Sequence, residues 1–257
     1  MKLAIVGKGG VGKTTLAATL ARQAASQGRP VIAVDADPDG NLAAALGVPA
    51  DRIPQPIAQM RELILERTEA RDSGGGLLYK LNPSVEDLPE RFSVDVRGVR
   101  LLVLGTVEFG GKGCMCPEAT VLKALLQHLL LRVPEDVILD MEAGLEHLGR
   151  ASARGVDAMI TVVEPGMRSV QTTVRAAKLA ADIGIQRSFV VLNQISQPQQ
   201  VEALKRALAG QIVVGAIPYC PELVRADLEG RSVEIEDRGF AEAVAGIRAA
   251  LDKQLAT

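Results

Sequence analysis

The chain has 257 residues, 47 % of them hydrophobic, enough to bury one substantial α/β core. Lys and Arg number 29 against 31 Asp and Glu, a formal net charge of −2 with no long run of like charge, so the basic stripe of a nucleic-acid binder is absent. Aromatics are only 2 % with no tryptophan, no apolar run has the length of a membrane span, and three cysteines make no disulfide framework. With no N-terminal signal segment in view, the expected location is cytoplasmic, with neither nucleic acid nor membrane as partner.

Residues 2–6 read as an apolar strand, followed by Gly7-Lys8-Gly9-Gly10-Val11-Gly12-Lys13-Thr14-Thr15. The spacing fits G-x-x-x-x-G-K-[ST] between a strand and a helical pattern (Leu16, Leu20, Ala24), the context in which the motif means a phosphate-binding loop. Its glycines let backbone N–H groups converge on an anion at a helix start. Gly9 to Thr15 are therefore expected around the phosphates of a nucleotide, with Lys13 reaching the β- and γ-phosphates and the Thr14 hydroxyl on Mg²⁺. Lys8 is a second lysine that an ordinary loop of this kind does not need. Alone it is a solvated surface charge; with a second subunit packed face to face it would neutralise phosphate charge in trans.

A second apolar run, 31–35, ends in Asp35-Ala36-Asp37-Pro38-Asp39-Gly40-Asn41. These are turn residues, and the calcium-loop pattern breaks after Gly40. Beside a phosphate site, a carboxylate at a strand end holds Mg²⁺ through water or orients the attacking water. The stretch 49–88 is the least patterned, with a helix expected over Ile57–Glu66 and loop elsewhere. A strand is expected at 100–105, with a hairpin turning at Arg97-Gly98 as the alternative for 93–104.

Gly113-Cys114-Met115-Cys116-Pro117 follows. Two thiols one residue apart offer half of a tetrahedral four-sulfur site, which a second copy would complete on a two-fold axis. A strained redox disulfide and two inert buried cysteines are the other readings. Glycines 110, 111 and 113 favour an exposed loop, and the helical pattern after Pro117 puts the pair at a helix N-terminus, which favours thiolate. Strand 136–140 ends in Asp140, placed to hold Mg²⁺ through water, and Gly144 permits a backbone N–H near the γ-phosphate. Further strands are expected at 158–163, 189–193 and 212–217, and the closing amphipathic helix (Phe240 to Leu255) has a mixed polar face that packs on the core. The alternation predicts one domain over 1–257: a doubly wound, mostly parallel sheet of the P-loop NTPase class with ligands at the carboxyl ends of its strands.

Lys8-Gly9-Gly10-Val11-Gly12-Lys13-Thr14-Thr15 resembles the deviant P-loop ATPases, which include MinD/ParA-like partitioning and cell-division ATPases, nitrogenase iron protein and metallocentre-maturation factors. Taken with Val34-to-Leu42, Gly113-to-Pro117 and Asp140-to-Arg150, the chain is similar to the CooC-type nickel-insertion ATPases of carbon monoxide dehydrogenase maturation. The likeness runs from residue 1 to about Asn193 and on to Ile217-Pro218-Tyr219. It implies an ATPase producing ADP, with Asp37 on the hydrolytic water and Asn41 at the γ-phosphate or interface. It further implies that Asn193 reads the purine, Pro218 flanks the adenine and Lys8 acts across a homodimer closed by ATP and metal. Cys114 and Cys116 of each protomer would share one Ni²⁺ or Zn²⁺ per dimer, destined for a client such as carbon monoxide dehydrogenase. Rival implications are a maturation role for acetyl-CoA synthase, a partitioning-type spatial organiser, which would need a basic DNA surface or membrane helix, and an iron–sulfur electron-transfer ATPase. Cys220 departs from the resemblance, since an acidic residue often follows Pro-Tyr there; it reads as a small buried residue. His128 reads as structural, and His147 has no assigned role.

Overall fold

Runs of Val, Ile and Leu without polar alternation make strands that are covered on both faces. The computed structural model describes residues 1–37, 40–72, 77–105, 116–142, 148, 150–229 and 237–256. In chain order, β1 (Lys2–Val6) leads through the phosphate loop into α1 (Lys13–Ser26), then β2 (Val31–Ala36) and the short α2 (Leu42–Leu46). Next come α3 (Arg61–Thr68), a ribbon of β3 (Arg71–Asp72) and β4 (Leu77–Leu78), α4 (Leu88–Phe92), and the hairpin β5 (Val94–Val96) with β6 (Val99–Val103). The second half runs α5 (Pro117–Leu131), β7 (Asp136–Met141), α6 (Arg150–Ala153), β8 (Ala158–Val163), α7 (Met167–Ile183) and β9 (Ser188–Ile195). It closes with α8 (Pro198–Ala207), β10 (Ile212–Pro218), α9 (Pro221–Leu228) and α10 (Arg238–Leu255).

Among the described residues the main sheet has the order β10-β9-β8-β1-β7-β2-β6-β5, parallel throughout except for the antiparallel β5 edge. The chain leaves β1 first towards β2 and later towards β8, so the strand order reverses at β1. A crevice opens at the carboxyl end of such a switch strand, and the phosphate loop occupies it. Side chains alternate across each strand. Leu3, Ile5, Ala33, Ile138 and Val191 pack under α1, α2 and α10; Ala4, Val6, Ile32, Val34 and Leu139 pack under α3, α5 and α7. Among the described residues no helix is long and apolar enough to cross a membrane.

The expected strands are all present, and the structure takes the hairpin alternative. Arg97 (φ 56) and Gly98 (φ 83) are both left-handed, the pair that matches the twist of a two-residue hairpin turn. The helix expected over Ile57–Glu66 is broken. A 3-10 turn spans Ile57–Gln59, Met60 leaves helical geometry (φ −83, ψ 72), and α3 starts at Arg61. The cause is tertiary: Ile57 is buried and the Ala58 N–H donates to Leu104 O at 2.9 Å, pinning that turn to the sheet end. The remainder of 49–88 is not all loop, since it contains the β3–β4 ribbon. Strand β9 continues two residues past Asn193, because Ile195 pairs with Pro218 of β10.

Candidate nucleotide-binding site

Three of the residues around the phosphate loop share one face for a simple reason. Asp35 follows Ala33 at two-residue spacing, Asp140 follows Ile138 and Asn193 follows Val191, so all three lie on the α1 side at the carboxyl ends of their strands. Lys13 opens α1, is only 7 % exposed, and places Nζ 3.3 Å from Asp37 Oδ2. Thr14 and Thr15 follow in the first turn. A Cβ added at Gly9 or Gly10 would meet nothing within 4 Å, so the crest of the loop is open to an approaching anion. Gly12, left-handed like Gly10, differs in that an added Cβ would run into Asn193 Nδ2.

Asp35 and Asp140 are direct partners in the β2–β7 ladder. Asp35 accepts from Leu42 N–H at 3.0 Å and from Asp37 N–H at 3.3 Å, which folds the segment after β2 back towards Lys13. Burial lifts its carboxyl to about 6, with the two backbone N–H groups opposing and the Asp37 carboxylate adding to the rise. Asp140 is fully buried, and neither carboxylate oxygen meets a donor at hydrogen-bonding geometry. Burial pushes it up to about 7; the neighbouring Thr14 hydroxyl and Lys13 oppose, while Asp35 and Asp37 reinforce the rise.

A buried carboxylate without donors is costly unless a cation approaches it. The residues present therefore fit Mg-nucleotide: an open glycine crest, a buried lysine, a helix-start threonine and orphaned carboxylate oxygens. Such a set can bind a polyphosphate, hold a hydrated divalent cation and orient a water molecule.

The other expected residues fall as follows. Lys8 is 44 % exposed, with Nζ 3.1 Å from Glu164 Oε1 just past β8. Asn41 is exposed and precedes α2 without capping it. Asn193, expected at a purine, donates through Nδ2 to Val11 O at 2.7 Å, beneath the loop. Pro218 is exposed at the end of β10 beside Ile195. Cys116 is the N-cap of α5, where Sγ accepts from Ala119 N–H at 3.4 Å. Cys220 is buried. Cys114, Gly144, Asp39 and His147 lie outside the described residues. Sequence reasoning left Asp35 unassigned, although the Asp-x-Asp turn chemistry pointed to it. It missed Gln194, which carries no sequence signal: its Nε2 donates to Gly10 O at 3.1 Å.

The family model for the CobQ/CobB/MinD/ParA nucleotide binding domain matches residues 3–233. The carbon monoxide dehydrogenase accessory protein CooC of Rhodospirillum rubrum is 44 % identical over 234 residues, covering 90 % of this chain and 89 % of that protein. An uncharacterised ATP-binding protein of Methanocaldococcus jannaschii is 40 % identical over 94 % of both chains. Among solved structures, the MinC:MinD cell division protein complex of Aquifex aeolicus matches with a TM-score of 0.71 at 20 % identity, over 100 % of this chain and 96 % of that one. That last likeness carries the fold alone.

Proposed function

The chain belongs to the CobQ/CobB/MinD/ParA family of nucleotide-binding proteins and is an ATPase, and we propose that it uses ATP to control a metal held between two copies of itself on behalf of carbon monoxide dehydrogenase. The whole of 1–257 acts as a single ATPase domain in this reading. Backbone N–H groups of Gly9 to Thr15 cradle the phosphates, and Lys13 exchanges Asp37 for the β- and γ-phosphates. The Thr14 hydroxyl and, through water, Asp140 would hold Mg²⁺, which when bound neutralises phosphate charge. Asp37, released from Lys13, orients the attacking water. Asn41 and Gly144 contact the γ-phosphate side, Asn193 and Pro218 the base side. Lys8 enters the site of the second protomer and neutralises charge developing there.

The cargo is Ni²⁺ or Zn²⁺, taken by Cys114 and Cys116 of both protomers as a four-sulfur set. The single observation carrying this coupling is the position of Cys116. Strands β6 and β7 are both parallel to β2 and α5 joins them, so Cys116 at the start of α5 lies at the same carboxyl edge as Asp140. One helix and one strand link the sulfur to the carboxylate beside the phosphates. Its role as an N-cap accepting an N–H supports thiolate there. The carbon monoxide dehydrogenase assignment rests on 44 % identity across nine-tenths of the chain to a protein of that name.

The test is metal analysis of the purified protein with ADP and then with a non-hydrolysable ATP analogue, alongside molar mass. One Ni²⁺ or Zn²⁺ per dimer, absent from a Cys114→Ser/Cys116→Ser variant that still hydrolyses ATP, is the expected result. Equal metal binding by that variant overturns the cysteine site.

A further inference from the structure

Strand β9 touches the phosphate loop twice, with consecutive residues. Asn193, 8 % exposed, donates to Val11 O at 2.7 Å, and Gln194 donates to Gly10 O at 3.1 Å. Consecutive side chains of a regular strand point to opposite faces, so an extended Gln194 would face away from the loop that Asn193 reaches. Gln194 instead has φ 58, a left-handed conformation that a residue with a Cβ seldom adopts. That departure brings both amides onto one loop. The departure coincides with a register shift of β9 against β10, between the Leu192–Ala216 and Ile195–Pro218 pairs, an irregularity of the kind that re-aims a side chain.

A trans peptide directs its C=O and N–H to opposite sides. Holding the Gly10 carbonyl on the β9 side turns Val11 N–H to the opposite side, where it donates to Lys8 O at a long 3.4 Å. Holding the Val11 carbonyl on the β9 side likewise turns Gly12 N–H away from β9. Inward-turned N–H groups are what a phosphate nest consists of.

We propose that Gln194 is a positioning residue for the phosphate loop. With Asn193 it forms a two-amide clamp that sets the direction of the N–H groups facing the anion. The inference rests on the ATP site being the one described above. The strand that carries the base-side asparagine thereby also fixes the phosphate cradle.

The full-length protein tests this with two variants. Gln194→Gly removes the donor and relieves the left-handed backbone; Gln194→Met removes the donor at nearly the same length and keeps the strain. One neutral hydrogen bond is worth about 0.5–1.5 kcal/mol, or about 2- to 12-fold. Both variants are expected to raise KM for ATP and Kd for ADP by that factor, with kcat within about twofold of the parent. Unchanged KM and Kd in both, an effect in Gln194→Met alone, or a fall confined to kcat overturns the clamp. Lys13→Ala, measured in parallel, separates this from the underlying reading: if it leaves ATP binding and hydrolysis intact, the site itself is misplaced.

Discussion

Lys8 Nζ and Glu164 Oε1 lie 3.1 Å apart, so the second lysine of the phosphate loop is held within its own chain by a carboxylate at the end of β8. For Lys8 to serve a neighbouring protomer this contact must break. Lys8 is 44 % exposed, and exposed ion pairs are worth about 0–1 kcal/mol. Glu164→Gln is therefore expected to strengthen ATP-dependent dimerisation by up to about fivefold, most clearly at low salt. Sedimentation in ATP analogue, compared with the parent, reads this directly. A weaker dimer would mean that Glu164 serves the interface instead of competing with it.

Lys8→Ala should keep ATP binding and lose turnover. A charge supplied across an interface to a phosphoryl-transfer site is worth on the order of 10³-fold in kcat. Mixing Lys8→Ala with a Lys13→Ala chain makes the assignment sharper. Heterodimers then contain one site in which an intact Lys13 faces an intact Lys8 from the neighbouring chain, and partial activity should return. No recovery on mixing would leave Lys8 acting within its own chain.

Asp37 is the partner of Lys13 before nucleotide arrives. Its removal should leave ATP binding at least as tight, because the lysine no longer has to leave a carboxylate. Hydrolysis should drop by about 10²–10⁴-fold, the usual contribution of a group orienting a nucleophile, and the ATP-bound dimer should live longer. Single-turnover kinetics with dimer lifetime in the same experiment checks both halves. Normal hydrolysis in Asp37→Ala removes that residue from the reaction.

The buried carboxylates make nucleotide-free stability depend on pH in a defined direction. In the folded chain burial pushes Asp140 up to about 7 and Asp35 up to about 6, both above the ordinary value of 3.8. Between those limits the folded state holds protons that the unfolded state has released, so stability falls as pH rises. The contribution is fully present below about pH 4, declines up to about pH 7 and is flat beyond. Thermal melts of the metal- and nucleotide-free protein from about pH 5 to about pH 8 should fall, and Asp140→Asn should melt higher with a shallower slope. An unchanged slope in Asp140→Asn would place the pH dependence elsewhere.

The sheet and the loop were legible because both are local. Short Val/Ile-rich runs such as Val137-Ile138-Leu139 between helical patterns read as doubly covered strands, and the glycine–lysine–threonine spacing states its own chemistry. The break at Met60 was not legible, because a hydrogen bond from Ala58 to Leu104 decides it and a helical pattern does not record distant partners. Arg97-Gly98 gave a faint signal, since arginine seldom adopts positive φ. Asp35 sat in plain view two residues before Asp37, yet its task appears only when Leu42 folds back onto it. Gln194 was invisible: nothing in Val-Leu-Asn-Gln-Ile announces a left-handed residue within a strand.

The pairing of Asp35 with Asp140 across β2 and β7 has a practical consequence for anyone breeding a hardier version of this protein. Two carboxylates side by side in a buried layer are a weakness that an amide mends, since it drops the charge and keeps an acceptor oxygen. Selection for heat resistance alone would thus remove these residues early and return a sturdy, inert scaffold. Only a screen that scores turnover beside survival would keep them.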